Sequence, residues 1–169
     1  MKKRSKLKET IIKEVEFQGW IKTNPRILAK KIPMIQQIEI RLNSMSRGFH
    51  NIDRVISGAF NKLPDIGLIN IFVKHTSAGL MINENADPDV QVDLQSLLDK
   101  MAPEGAPFYQ HTMEGRDDMP AHFKSSVFGQ SLTVPVTNGK LNLGTWQSIF
   151  FCEFRNYGGS RTIVVTVYG

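Results

Sequence analysis

Cysteine is nearly absent. Cys152 is the single one in 169 residues, so neither an intrachain disulfide nor a multi-cysteine zinc site can form. Long apolar runs are missing too, and no stretch approaches the roughly 20 residues of a membrane-spanning helix. Gly and Pro number only 13 and 8, too few for a fibrous chain. Hydrophobic residues at 41% and charged residues at 22% exclude a disordered one. What remains is a globular chain of one-domain length, and the cysteine count points to a reducing, cytoplasmic setting.

Charge is unevenly placed. Overall the chain carries +5, from 21 basic and 16 acidic residues. Residues 1–33 hold 10 Lys/Arg against 3 Asp/Glu, a balance of +7, and residues 34–169 hold 11 against 13, a balance of −2. The basicity therefore belongs to an N-terminal arm, and the body has no basic stripe for nucleic acid. The arm does not read as a secretory signal, because Lys13 and Glu14 interrupt Ile11-Ile12 before an apolar core can form. Three glutamates, Glu9, Glu14 and Glu16, also argue against a mitochondrial presequence. We expect residues 1–33 to be a basic extension outside the core, and residues 34–169 to form a single domain.

Periodicity in the body mixes strands and helices. Residues 35–41 alternate as in a half-buried strand, and residues 67–74 read as a short buried strand running into His75. Ile52, Val55, Ile56, Ala59, Phe60 and Leu63 form one apolar helical stripe that Pro64 stops. A second helix is expected from Asp87-Pro88, with Val90, Leu94, Leu97, Leu98 and Met101 as its stripe. Residues 103–120 read as a long loop, followed by a short capped helix from Asp118. Residues 131–136, the Asn138-Gly139 hairpin signal, residues 141–143, 146–154 and 162–168 are β. The sum is an α+β domain, a β-sandwich of two mostly antiparallel sheets with two main helices.

Metal-ligand and acid–base residue types are dense between positions 75 and 122. His75, His111 and His122 lie in strand-end or loop contexts, accompanied by Asn85, Asp87, Glu114, Asp117 and Asp118. Three imidazoles suit a transition metal with one coordination position left open. Solvated or capping histidines fit the same spacing, and Asp87 and Asp118 also suit helix N-caps. His75-Thr76-Ser77-Ala78-Gly79 offers amides and two hydroxyls at a strand end, suited to a phosphate or carboxylate. It lacks the lysine and glycine spacing of a P-loop. Lys124 and Arg161 are candidate anion ligands or surface charges, and Cys152, inside an apolar run, is a small buried hydrophobe.

Several longer motifs carry a family resemblance. Ser46-Arg47-Gly48-Phe49-His50, His75-Thr76-Ser77-Ala78 and Asn83-Glu84-Asn85-Ala86-Asp87-Pro88 resemble the YjbQ-like family, whose members are described as secondary thiamine-phosphate synthases. The likeness continues through His111-Thr112-Met113-Glu114-Gly115-Arg116-Asp117-Asp118 and Met119-Pro120-Ala121-His122-Phe123-Lys124. It closes with Gly144-Thr145-Trp146-Gln147, Glu153 and Gly158-Gly159-Ser160-Arg161, and so spans essentially the whole body.

The resemblance implies a two-sheet sandwich with two helices, assembled as a homotrimer. It also implies a transferase condensing a hydroxymethylpyrimidine diphosphate with a thiazole phosphate. His75, His111 and His122 are then the expected ligands of a divalent metal, zinc or magnesium, and catalytic together with Asp117 and Asp118. Thr76, Ser77, Asn85, Lys124 and Arg161 are the expected contacts to the phosphorylated substrate. A metal- or phosphometabolite-binding trimer and a metal-assisted hydrolase are the alternatives. The partner in each is a small phosphorylated metabolite, neither nucleic acid nor membrane.

Overall fold

The computed structural model describes residues 35–169, so the expectation for residues 1–33 lies outside the described residues. Alternation in the first strand is realised as β1 (Ile35–Leu42), where every second residue is the more covered one. β2 (Gly48–Asn51) and the short helix α1 (Asp53–Gly58) follow. Next come β3 (Ile66–Val73), β4 (Ala78–Glu84) and the helices α2 (Asp89–Met101) and α3 (Asp118–Phe128). The chain finishes with β5 (Ser131–Thr137), β6 (Lys140–Leu141), β7 (Gln147–Glu153) and β8 (Arg161–Tyr168). The Asn138-Gly139 turn has φ of 52° and 72°, the positive pair a two-residue hairpin requires.

Two antiparallel sheets result. One has five strands in the order β1-β8-β3-β5-β6, the other three in the order β2-β7-β4. The first core lies between them, with Ile69, Ile71, Val134, Ile163 and Val165 from the larger sheet meeting Leu80, Ile149 and Phe151 from the smaller. The far face of the smaller sheet is also covered. Met81, Phe150, Cys152 and Phe154 pack there with Leu98 of α2 and Ala121 of α3. This double coverage explains why β7 reads as an unbroken apolar run and not as an alternating one.

Three details differ from the sequence expectations. The first apolar stripe is helical only through Gly58. Glycine is among the poorest residues for a helix interior, and Phe60 and Leu63 reach the core from irregular chain instead. In α2 only Leu98 is buried, while Leu97 and Met101 are exposed, because the helix meets the small sheet along a narrow line. β2 and β4 were not expected as strands at all. Both are edge strands recruited by pairing with β7. No helix among the described residues is long and apolar enough to cross a membrane.

Phe151 is fully buried between the sheets. Phe151→Ala should cost about 3–5 kcal/mol of unfolding free energy, measured by urea denaturation. A loss below about 1 kcal/mol would contradict the packing described.

Candidate functional site

α3 presents Asp118 and, one turn later on the same face, His122. His111 arrives from the loop between α2 and α3. Its Nε2 lies 2.6 Å from Asp118 Oδ2, and His122 Nε2 lies 3.3 Å from the same oxygen. The ligand-type atoms of these three residues all fall within 4.8 Å of one another, and the two rings meet edge to face with centroids 5.4 Å apart. Asp118 itself is buried.

What holds this arrangement is mainly Arg155, from the β7–β8 connection. One guanidinium nitrogen pairs with Asp118 Oδ1. Nε donates to Asp117 Oδ2 at 3.0 Å and Nη2 to the Glu114 carbonyl at 2.7 Å. The guanidinium thus clamps the loop end that carries His111 against the start of α3. His122 is set from its other side, where Nδ1 lies 3.0 Å from the Thr76 carbonyl. A carbonyl can only accept, so Nδ1 carries a proton, and Nε2 faces the Asp118 side. Two imidazoles and a carboxylate, one imidazole anchored through its other nitrogen to a backbone carbonyl, are a donor set that could hold a divalent ion.

Beside this group opens a cavity of about 860 Å³. His122 stands in its wall with Phe72, Lys74, His75, Thr76, Ser77 and Arg161 among its neighbours. No Asp or Glu among the described residues lines it.

The expected residues divide accordingly. His111, His122 and Asp118 converge, and Asp117 sits next to them as a partner of Arg155. The expected three-imidazole meeting is not what the fold produces. His75 lies outside the group, with Nε2 accepting the Thr162 amide at 2.8 Å, and Asp118 takes the third position. Burial, then the Arg161 charge, holds the His75 ring below its ordinary pKa. Thr76 and Ser77 line the cavity. Lys124 does not. It is buried and bound to Asp99 Oδ1 at 2.7 Å, so it ties α3 to α2 and has no reach to a ligand. Asn85 is just beyond the far end of β4, about 26 Å from Ser77 at the rise of an extended strand.

Arg161 is at the cavity but already engaged. Its Nε and Nη2 make two bonds to the fully buried Glu153, at 2.7 and 2.6 Å. Gly158 closes over this pair, and a Cβ there would collide with both side chains. Arg155 is the residue that sequence reasoning missed, because nothing in Phe154-Arg155-Asn156 marks a contact to a loop some forty positions earlier. The four-residue spacing of Asp118 and His122, in contrast, was a usable signal once a helix was placed there. Asp118 does not serve as the N-cap. That position belongs to Asp117, and the Asp118 oxygens are taken by Arg155 and His111. Cys152 is fully buried, and burial pushes its thiol pKa up, which leaves it inert.

The fold is an α+β sandwich of two antiparallel sheets, and its relatives identify the family. The family model described as "UPF0047 protein YjbQ-like" matches residues 36–169. The UPF0047 protein YjbQ of Salmonella typhimurium is 46% identical over 138 residues, covering 80% of this chain and 99% of the relative. Its namesake in Escherichia coli O157:H7 is 42% identical over the same shares. Among solved structures, a YjbQ/UPF0047 family protein of Clostridium acetobutylicum superposes with a TM-score of 0.68 at 38% identity, over 77% of this chain and 98% of that one. A conserved hypothetical protein of Thermus thermophilus gives 0.68 at 35% identity, over 76% and 97%. The chain belongs to the UPF0047 YjbQ-like family.

Behind the site, Asp99 gathers Lys124, Arg47 and Gln95. Burial alone would raise its carboxyl pKa, but the hydrogen bonds from Lys124 and Gln95 and the charges of Lys124 and Arg47 outweigh it and hold the pKa low. A depressed folded pKa gives stability that is present above the unfolded value, near about 3.9. That stability is lost as pH falls through the folded value. Asp99→Asn should therefore melt a few degrees below wild type at pH 7, with the gap shrinking on acidification below pH ~4. A gap that is unchanged between pH 7 and pH 3 would show that the carboxylate charge is not what matters.

Proposed function

We propose that the chain is a metal-dependent transferase of the thiamine-phosphate synthase type, joining a hydroxymethylpyrimidine diphosphate to a thiazole phosphate. The observation that carries this reading is the meeting of His111, Asp118 and His122, of which His122 also lines a cavity without carboxylates. Nitrogen donors suit zinc better than magnesium, which prefers an all-oxygen shell. Such an ion, when bound, supplies Lewis-acid stabilisation of an anionic leaving group.

The protein's own residues contribute position and charge. Arg155 fixes one oxygen of Asp118 and leaves the other facing the two imidazoles. Thr76 fixes the tautomer of His122. A lining that holds Lys74 and Arg161 and no carboxylate suits a phosphorylated substrate better than a cationic one, although Lys74 is paired with Glu39 and Arg161 with Glu153. In the reaction the bond from the pyrimidine methylene to the diphosphate oxygen breaks, and its electron pair leaves with diphosphate. The thiazole nitrogen lone pair forms the new carbon–nitrogen bond, and no net proton transfer is needed.

A second reading, a binding protein for a phosphorylated metabolite without turnover, is favoured by one specific observation. The charges of Lys124 and Arg161 are already balanced by Asp99 and Glu153, which leaves a small cationic reserve for a diphosphate. One experiment separates the two readings. Untagged protein should carry about one zinc per chain and form thiamine phosphate from the two substrates. His122→Ala should lose the metal and reduce the rate about a hundredfold or more. Metal uptake with no product supports the binding reading, and full activity in His122→Ala sinks the proposed site.

For assembly we propose a homotrimer. Ile66, Leu68, Phe72 and Tyr168 stand exposed on the outward face of the five-stranded sheet, an apolar patch suited to a protein partner. Light scattering should return three times the 19.1 kDa chain mass, and a monomer at micromolar concentration would refute it.

A further inference from the structure

The cavity floor holds two donors that face each other. His75 Nε2 accepts the Thr162 backbone N–H. A backbone amide has no other role in a hydrogen bond, so Nε2 must present its lone pair. The ring proton then sits on Nδ1. That nitrogen lies 3.5 Å from Arg161 Nη1, and a guanidinium nitrogen is never an acceptor. The contact is therefore two N–H groups brought together and not a hydrogen bond between them.

Arg161 is 6% exposed, and its other donors are spent. Nε and Nη2 serve Glu153, and Nη2 also reaches Ser77 Oγ at 3.2 Å. Nη1 has no acceptor among the described residues. Because Ser77 Oγ accepts from Arg161, its own hydroxyl proton is free to be donated. Nη1 therefore faces the open cavity with its hydrogens not committed to a protein acceptor, a position that suits a ligand atom. That atom must be an acceptor.

We propose that His75 Nδ1–H, Arg161 Nη1–H and the Ser77 hydroxyl form a binding subsite for a terminal phosphate group of the ligand. Three donors from three side chains suit the divergent oxygens of a phosphate, while Lys74 in the same lining is already paired with Glu39 at 2.7 Å. Glu153 balances Arg161 from behind the donors, so recognition rests on hydrogen-bond geometry more than on net charge. The subsite is separate from the His111–Asp118–His122 group. It rests on the preceding section only in taking this cavity for the substrate's, and it needs no metal.

The test uses inorganic phosphate and EDTA-treated full-length protein, followed by calorimetry. Phosphate should bind the metal-free wild type, and Ser77→Ala and His75→Leu should each weaken binding about tenfold or more. Absence of phosphate binding without metal, or equal binding by folded Ser77→Ala, overturns the subsite and leaves the metal reading standing. Absence of zinc uptake with phosphate binding intact does the reverse. A measurement on unaltered protein guards against misfolded variants: the ¹⁵N shifts of His75 should show a neutral ring protonated at Nδ1. A ring protonated at Nε2 removes the basis of the proposal.

Discussion

Asp118 is a carboxylate with almost no solvent at the start of a helix, and the polar architecture around it follows from satisfying that charge. An ionised carboxylate out of water is tolerated only with strong partners. Arg155 supplies one, on Oδ1. The other oxygen is left to two imidazoles from different parts of the chain. Since the same guanidinium also holds Asp117 and the Glu114 carbonyl, the loop delivering His111 is fastened by the residue that neutralises Asp118. Charge compensation and ligand placement are one interaction here.

A second compensated charge governs the cavity. Glu153 is fully buried at the end of β7, opposite Arg161 at the start of β8. The pair makes two parallel bonds, the geometry for which guanidinium and carboxylate are matched. It consumes most of the arginine and leaves one nitrogen at the cavity. Lys124 shows the other outcome of burial. Its ammonium is wholly taken by Asp99, so a lysine between cavity-lining neighbours works as a strut between α3 and α2. Of two cations expected at the ligand, burial converted one into scaffold and left the other a single uncommitted nitrogen.

Much of the fold was legible along the chain. β1, β3, β5 and β8 appear where alternation or a β-rich run placed them, and the Asn138-Gly139 turn has the backbone its residues prefer. β2 and β4 were not legible, because an edge strand is made by its neighbour and β7 is that neighbour for both. The stripe from Ile52 to Leu63 predicted burial correctly at Ile52, Ile56, Phe60 and Leu63 but not the length of the helix. Apolar spacing reports which residues go inside, and an irregular segment can satisfy it as well as a helix.

For the site, residue chemistry alone determined that imidazoles, carboxylates and hydroxyls crowd positions 75–126, and that Cys152 would be buried and inert. Family membership was equally readable from local motifs. Only the tertiary structure decided that Asp118, and not His75, joins His111 and His122, and that Arg155 holds them. It alone withdrew Lys124 and Asn85 from the ligand and turned His75 toward the Thr162 amide. The reason is physical: a side chain's type is a local property, but its partners are set by which strand ends and helix faces the two sheets bring together.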